Sequence, residues 1–367
     1  MTTLSYSIPP FVKVSGALFV LALAGLTMLA IPRNIEVVQN GPDGTGMAQI
    51  LHAESLRQQL AAIDIPPEPW PLLESYEGEP LASEFYENVP VLGHLPAEQF
   101  DRLMTAITDW VSPEIGCGYC HNLESDQPFA GDDLYTKRVA RRMFQMTMTI
   151  NSAWGEHVSP AGVNCYTCHA GQPVPENIWF QNPLVEQEPQ FIGDLAQQNL
   201  AAPAAAYASL PMEPFSAFLV ADNEIGVYGD TALPSGNRTS IKQAEWTYSL
   251  MMHMSDSLGV NCTYCHNTQA FASWEQSPPA RVTAWHGIRM VRELNNTYLI
   301  PLGPEYPEHR LGELGDAPKA NCATCHQGLY QPLWGANMID QYPSLAVPTP
   351  AAAGDGMVEA GTAAISQ

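Results

Sequence analysis

The sequence repeats one five-residue pattern four times, as Cys117-Gly-Tyr-Cys-His121, Cys165-Tyr-Thr-Cys-His169, Cys262-Thr-Tyr-Cys-His266 and Cys322-Ala-Thr-Cys-His326. We number these copies motif 1 to motif 4. The chain has eight cysteines, so the four motifs contain all of them. No cysteine is therefore expected to remain for a disulfide, a separate zinc site or a lipid anchor.

The motif Cys-x-x-Cys-His is the attachment signature for c-type haem, in which two thiols form thioethers and the histidine binds iron. A single copy could also be a redox pair that precedes a histidine by chance, or half of a zinc site. Zinc needs no histidine after each pair, whereas here the histidine recurs every time. The sequence predicts four covalently bound c-type haems. The thioether positions are Cys117, Cys120, Cys165, Cys168, Cys262, Cys265, Cys322 and Cys325, and the iron-binding histidines are His121, His169, His266 and His326.

Length and composition limit the class of protein. With 367 residues and 46% apolar content, the chain has enough material for a buried core, which excludes a wholly disordered protein. Its 38 acidic and 15 basic residues give a formal net charge of -23, so nucleic acid is not expected as a partner. The acidity has two interpretations: a negative face around the first haem that attracts a basic donor, or the composition of a protein from a salty habitat.

Residues 14–31 form an uncharged, mostly apolar run. As a helix this run is about 27 Å long, which is close to the thickness of the hydrocarbon core of a bilayer. A secretory signal peptide is the alternative, because Ala22-Leu23-Ala24 offers a small-residue cleavage pattern. We expect a retained single-pass anchor. Because covalent haem attachment implies an oxidising periplasm, the N-terminus is expected in the cytoplasm and the haem domain in the periplasm.

Four helices are predicted from apolar side chains at helical spacing. They cover residues 96–111, 133–154, 240–258 and 279–298, and Gly259 is the expected stop signal of the third. The order helix, motif, helix, motif therefore occurs twice. Val163-Asn-Cys-Tyr-Thr-Cys-His169 also resembles Val260-Asn-Cys-Thr-Tyr-Cys-His266, which supports an internal repeat.

The predicted fold class is mainly α with extensive irregular loops. We expect a multihaem cytochrome c built from two pseudo-repeated dihaem halves, plus one N-terminal transmembrane helix. In chain order the predicted segments are 1–34 (membrane anchor), 35–95 (acidic, proline-rich and extended), 96–171 (first dihaem half), 172–236 (connection), 237–342 (second dihaem half) and 343–367 (disordered tail).

With helices ahead of the haem motifs, methionines upstream and one apolar anchor, the chain resembles the tetrahaem cytochrome c subunits of purple-bacterial photosynthetic reaction centres. The resemblance covers residues 39–342. Members of that family are often lipoproteins that are anchored through an acylated N-terminal cysteine. This sequence has no spare cysteine, so the apolar run at 14–31 is the expected substitute.

The resemblance also implies the sixth ligands of the four irons. In that family three haems take a methionine from the helix before their motif, and the fourth takes a histidine from the other half. Numbering the haems by their motifs and matching by position, Met104 would bind haem 1, Met143 haem 2 and Met251 haem 3. His157 would reach across to haem 4.

Two of these assignments have rivals within the sequence. Met254 competes with Met251 for haem 3, while His253 between them is expected to face away as an ordinary packed residue. For haem 4, the internal repeat favours a local ligand, and His309 is a further local candidate. The repeat points to His286 or Met290, whereas the family pattern favours His157.

The resemblance implies an electron carrier of the inner photosynthetic membrane that transforms no substrate. Electrons would pass singly from a soluble cytochrome c or high-potential iron-sulfur protein to the photo-oxidised bacteriochlorophyll pair. The implied membrane partners are the reaction-centre L and M subunits and the surrounding light-harvesting complex. Thioether sulfur stabilises ferrous iron better than imidazole does, so three raised potentials and one lower potential are expected. The alternative is a membrane-anchored multihaem quinol dehydrogenase or reductase, which would keep one iron position open.

Overall fold

The computed structural model describes residues 19, 21–22, 25–26, 35–39, 41, 48–74, 76–183, 202–226 and 241–347. The chain divides into two compact units, residues 1–62 and 63–367. Most of the predicted transmembrane helix at 14–31 and of the predicted tail lies outside the described residues. Among the helices that the structure does describe, none is both long and apolar enough to cross a bilayer.

The first unit contains a β-hairpin followed by a helix. Strand β1 (Ile35–Gln39) pairs antiparallel with β2 (Ala48–His52), and helix α1 (Ala53–Ala61) follows directly. These elements replace part of the extended segment that the sequence predicts for 35–95. Two short runs rich in β-branched and apolar residues flank a glycine- and proline-rich stretch, which is the usual hairpin signal. Because the rest of the segment 35–95 is rich in proline, the sequence predicts an extended conformation for the whole segment, and the hairpin is missed.

The second unit is mainly helical and contains all four motifs. Its α-helices are α2 (Ala82–Phe85), α3 (Ala97–Val111), α4 (Tyr135–Ala153), α5 (Gly155–Val158), α6 (Cys165–His169), α7 (Ile241–Leu258), α8 (Ala280–Glu293) and α9 (Cys322–His326). Short 3-10 or π segments lie at Gly116–Tyr119, Pro203–Ala205, Ser216–Val220, Cys262–Tyr264, Leu294–Leu299, Ile300–Glu305, Glu308–Arg310, Pro332–Gly335 and Pro343–Ala346. The four long helices, α3, α4, α7 and α8, each begin within three residues of the predicted start. The third ends before Gly259, whose φ of +62° explains the stop.

A first core joins α3 and α4. Its buried members are Val91, Leu92, Leu95, Leu103, Ala106, Trp110, Phe144, Met148, Tyr342 and Leu345. Leu345 belongs to the segment that the sequence predicts as a disordered tail, yet it is fully buried. Its carbonyl accepts a hydrogen bond from Asn151 Nδ2 at 2.9 Å. The packed part of the chain therefore extends to residue 347, beyond the predicted boundary at 343.

A second core joins α7 and α8 to the predicted connection. Its buried members are Ile150, Val163, Trp179, Phe215, Phe218, Leu219, Leu250, Ile288, Met290, Val291, Leu294 and Tyr298. Phe215, Phe218 and Leu219 come from the proline- and alanine-rich stretch that the sequence predicts only as a linker. Because Phe218 and Leu219 fall in one short π-helical turn that begins directly after Phe215, no helical periodicity is visible there. The connection is thus part of the core.

Candidate haem attachment site

Motifs 1 and 3 have the same local structure. Each lies on a short 3-10 turn, and the first cysteine of each is exposed. His121 Nδ1 donates to the carbonyl of Phe129 at 3.2 Å, and His266 Nδ1 donates to that of Phe271 at 3.1 Å. The two phenylalanine rings lie against the histidine rings that they accompany, with centroids 5.2 and 4.2 Å apart. The loop after each motif therefore holds its imidazole in place.

Motifs 2 and 4 form a second pair. Each is an α-helix that begins after an asparagine, and the threonine inside the motif accepts a hydrogen bond from that asparagine's backbone N–H. Residues with positive φ, Ala170 and Gln327, end the two helices. His169 Nδ1 donates to Gln172 O and His326 Nδ1 to Leu329 O, both at 2.9 Å. The structure thus pairs motif 2 with motif 4, whereas sequence similarity pairs motif 2 with motif 3.

The sequence contains a signal for this pairing in the third residue of each motif. Motifs 2 and 4 share Cys-x-Thr-Cys-His, and motifs 1 and 3 share Cys-x-Tyr-Cys-His. Threonine at the third position carries a short hydroxyl that accepts from the residue before the helix, whereas the hydroxyl of tyrosine lies at the far end of its ring. This one side chain distinguishes the α-helical motifs from the 3-10 motifs.

The structure brings His157 beside motif 4. Its ring centroid lies 6.0 Å from that of His326, and its Nδ1 donates to the carbonyl of Thr283 on α8 at 2.9 Å. A metal binds an imidazole nitrogen at about 2.0 Å, and the ring centre lies roughly 1 Å behind it, so two rings on opposite sides of one iron have centres about 6 Å apart. The spacing of His157 and His326 fits this arrangement.

Five histidines therefore have the same arrangement of hydrogen bonds. In His121, His169, His266, His326 and His157, Nδ1 donates to a backbone carbonyl. Such a bond fixes the tautomer and leaves Nε2 as the nitrogen available to a metal. Together with the cysteine pairs, these histidines fit covalently attached c-type haem.

Electrostatics keeps these imidazoles in the neutral form that binds metals. Burial, and next the neighbouring His157, lowers the pKa of His326 to about 4. Burial also lowers the pKa of His157, with a smaller contribution from His286. At neutral pH both rings facing each other are therefore uncharged, and no repulsion separates them.

The predicted methionine ligands lie on the expected helices. Met104 is half-buried on α3, one turn before Thr108, whose Oγ1 lies 3.9 Å from Cys117 Sγ of motif 1. Met143 is half-buried on α4. Met251 and Met254 are both half-buried on α7 against the second core, so packing alone does not separate these two candidates.

The rival ligands have other surroundings. His253 is buried with its ring 4.6 Å from that of Phe215 and one nitrogen 3.2 Å from Ser257 Oγ, as expected for a packed histidine. Met290 is buried in the second core, and His309 is exposed. His286 lies beside Trp285, with ring centroids 5.0 Å apart.

The structure joins Cys168 and Cys325 in a disulfide, with their Cα atoms 4.5 Å apart. This differs from the expectation that no cysteine would form one. The reason is that α6 and α9 face each other and bring the second cysteines of motifs 2 and 4 into contact. A sulfur in a disulfide cannot also form a thioether, so the two states exclude each other. Thioether formation at these cysteines remains a prediction.

The zinc alternative finds no support in the described part of the chain. No group of three or more histidine, cysteine, aspartate or glutamate side chains there is arranged to hold a metal ion. Burial also raises the pKa of the Cys165 and Cys322 thiols to about 12, whereas zinc binds the thiolate.

Comparison with known proteins gives one consistent result. The family described as "Photosynthetic reaction centre cytochrome C subunit" matches residues 31–346. A photosynthetic reaction center cytochrome c subunit of Rubrivivax gelatinosus is 48% identical over 89% of this chain and 87% of its own length. A protein of the same description from Thermochromatium tepidum is 49% identical over 72% of this chain and 65% of its own length. Another from Roseobacter denitrificans is 42% identical over 89% of this chain and 90% of its own length.

Proposed function

The chain belongs to the family of photosynthetic reaction centre cytochrome c subunits, and on that premise we propose that it relays single electrons through four covalently bound c-type haems. The donor is a soluble periplasmic cytochrome c or high-potential iron-sulfur protein. The acceptor is the photo-oxidised bacteriochlorophyll pair held by the L and M subunits. The proposed membrane anchor is the apolar run at 14–31, most of which lies outside the described residues, and the N-terminus would then be in the cytoplasm.

One observation carries this proposal: each of the four motif histidines has Nδ1 donating to a backbone carbonyl. This arrangement orients Nε2 before any metal is present. When bound, each haem supplies one-electron redox chemistry. The two cysteines of each motif would hold the porphyrin through thioethers, the motif histidine would bind iron, and the methionines and His157 would supply the sixth ligands, which would leave no iron position for a substrate.

We propose that residues 96–171 and 237–342 are repeats of one dihaem unit. The order of elements supports this, since α3, motif 1, α4 and motif 2 are matched by α7, motif 3, α8 and motif 4. The pairing of 3-10 motifs with each other and of α-helical motifs with each other gives independent support.

Contacts between elements favour the spatial order of haems 1, 2, 4, 3. Gly171 N, just after motif 2, donates to Trp110 O on α3, the helix before motif 1, at 2.9 Å. Motifs 2 and 4 touch at Cys168 and Cys325. Gly328 N, just after motif 4, donates to Ser257 O on α7, the helix before motif 3, at 2.8 Å. Haems 1 and 3 would then be the two ends of the relay.

The surface around motif 1 has the properties expected of the donor-binding end. Between residues 64 and 133 there are 15 acidic residues and one basic residue, Arg102, which is buried. Exposed Ile115, Leu123 and Phe129 lie close to the motif in sequence. Apolar contacts within an acidic surface would give a short-lived complex with a basic donor.

We expect donor association to slow steeply as ionic strength rises past about 0.1 M, where the Debye length is about 10 Å. Electron transfer within the formed complex should stay constant. Flash-induced kinetics at several donor and salt concentrations separate the two rates. A bimolecular rate that does not change with salt would instead indicate apolar docking. The acidic composition would then reflect a salty habitat.

The surface around motif 3 is different and is the proposed contact with the membrane-bound partner. Between residues 262 and 293 there are three arginines and only two acidic residues. Trp274 and Trp285 are both exposed, and the guanidinium groups of Arg281 and Arg289 lie over their rings at 4.1 and 4.5 Å. Tryptophan and arginine are enriched in protein interfaces and carry much of their binding energy.

Methionine ligation can be tested one haem at a time. Substituting leucine for Met104, Met143 or Met251 keeps most of the side-chain volume but removes the thioether, so each change should alter the spectrum of one haem. The methionine-to-iron charge-transfer band of the oxidised protein is the measurement. Met254→Leu is the matched control on α7. Loss of the haem 3 band in Met254→Leu, with an unchanged band in Met251→Leu, would transfer the assignment to Met254.

Light-induced oxidation of haem in isolated membranes tests the function. We expect a flash to oxidise a c-type haem with the wild-type chain, and mass measurement of the denatured chain to show four attached haems.

Trp285→Asp should slow the flash-induced oxidation, whereas Tyr207→Asp, at another exposed aromatic residue, should not. A membrane that shows no flash-induced haem oxidation, or a chain with fewer than four haems, would contradict the proposal.

A further inference from the structure

Gly287 lies where α8 and the His157 ring make their closest approach. A Cβ atom added to Gly287 would lie 2.5 Å from His157 Cε1, 2.9 Å from Nδ1 and 3.1 Å from Nε2. Thr283, whose carbonyl accepts the hydrogen bond from His157 Nδ1, is one helical turn earlier on the same face. The ring therefore sits on a small surface of α8 formed by the Thr283 carbonyl and the bare Gly287 Cα.

The backbone itself does not require glycine at this position. Gly287 is inside α8 and is not among the glycines with positive φ. Glycine is less favourable than alanine in a helix interior, so another contact must account for it. The contact with the His157 ring is the one that a methyl group would disrupt.

Neither partner of this contact can easily give way. On and beside the face of α8 that carries Gly287, the side chains of Ile288, Met290 and Val291 are buried in the second core, so moving the helix away from His157 would pull them out of that core. The His157 ring is held at Nδ1 by Thr283 and faces His326 with its centroid 6.0 Å away. A displaced ring would lose both the tautomer-fixing bond and its alignment with His326.

We propose that Gly287 is a positioning residue for haem 4. Because Gly287 has no side chain, α8 of the second dihaem unit leaves space for the ring of His157, which comes from the first dihaem unit. This inference rests on the proposed ligation of haem 4 by His157 and His326. The three atoms nearest to a Cβ added at Gly287 all belong to His157, so Gly287 acts through that ligand.

The test is Gly287→Ala in the full-length holoprotein. We expect most of the bis-histidine signal of haem 4 in electron paramagnetic resonance to disappear, while the signals of the other three haems persist. Added imidazole should restore a bis-nitrogen signal, because a small free ligand can reach the iron that His157 no longer binds. The matched control is Gly303→Ala, where a Cβ would make only an ordinary contact at 4.0 Å with Ala317.

Two further variants distinguish the possible failures. If His157→Gly keeps the bis-histidine signal, the ligand assignment is wrong and the Gly287 inference falls with it. If His157→Gly loses the signal but Gly287→Ala keeps it, only the Gly287 inference is wrong. Should Gly287→Ala prevent the protein from accumulating, combining it with His157→Gly decides the matter. Restored accumulation supports a clash with the ring, and continued absence overturns it.

Discussion

Replacing His157 with methionine is expected to raise the midpoint potential of haem 4 by on the order of 100 mV, within the roughly 0.8 V range that axial ligands span. Thioether sulfur favours ferrous iron more than imidazole does. Methionine has enough flexibility to reach a metal from the same backbone position. Redox titration followed by electron paramagnetic resonance measures the effect, because the bis-histidine signal should be replaced by a methionine–histidine signal.

His157→Ala is the companion variant, since it removes the ligand without offering another. It should leave haem 4 five-coordinate and high-spin, and free imidazole should reverse the change. His286→Ala is the matched control, because His286 is a local rival ligand on α8 and lowers the pKa of His157 through its charge. If His286→Ala alone abolishes the bis-histidine signal, the fourth ligand is local and the link between the two dihaem units is incorrect.

The attachment motifs could be predicted from the sequence because covalent chemistry requires a fixed local spacing. The long helices around them were also predictable, since their apolar side chains recur at helical spacing. The ligand from a distant segment could not be derived in this way. His157 is more than 160 residues from motif 4 in sequence, and only the resemblance to a family pointed to it before its ring was found beside His326.

Features that depend on tertiary packing were missed for a physical reason. Lys137 belongs to a group of basic residues on α4, with Arg138, Arg141 and Arg142, yet it is buried and donates to the carbonyls of Phe129, Ala130 and Gly131 at 2.7–3.0 Å. A lysine whose three donors are satisfied by backbone can be buried, but the acceptors lie in a loop whose path is not visible in the sequence. The same Phe129 carbonyl also accepts from His121, so the loop, the lysine and the proximal histidine form one unit.

Removing the buried guanidinium of Arg102 is expected to lower the free energy of unfolding by about 3 kcal/mol, the upper end of what hydrogen bonds to a charged group contribute. Arg102 is 2% exposed and donates to Trp70 O, Gln341 O and the Glu68 carboxylate, each at 2.6–2.7 Å. Its guanidinium also lies 4.4 Å from the ring centre of Tyr342. One side chain on α3 thus fastens the segment around 68–70 and the C-terminal segment to the helix that carries Met104.

Arg102→Met keeps the apolar stem but removes the donor from two backbone carbonyls and one of the two donors from the Glu68 carboxylate, to which the Tyr342 hydroxyl also donates, which is why the expected cost is large. The stability of Arg102→Lys should lie between that of the wild type and that of Arg102→Met, since an ammonium group cannot bond three acceptors in the planar arrangement of a guanidinium. The matched control is Arg138→Met, because the Arg138–Glu305 pair is 38% and 39% exposed and should contribute less than about 1 kcal/mol. Urea unfolding of the holoprotein measures the three midpoints, and the Met104 charge-transfer band should disappear at lower urea in Arg102→Met than in Arg138→Met. Equal midpoints for those two variants would show that the buried cluster does not hold α3 in place and that the first core alone fixes this helix.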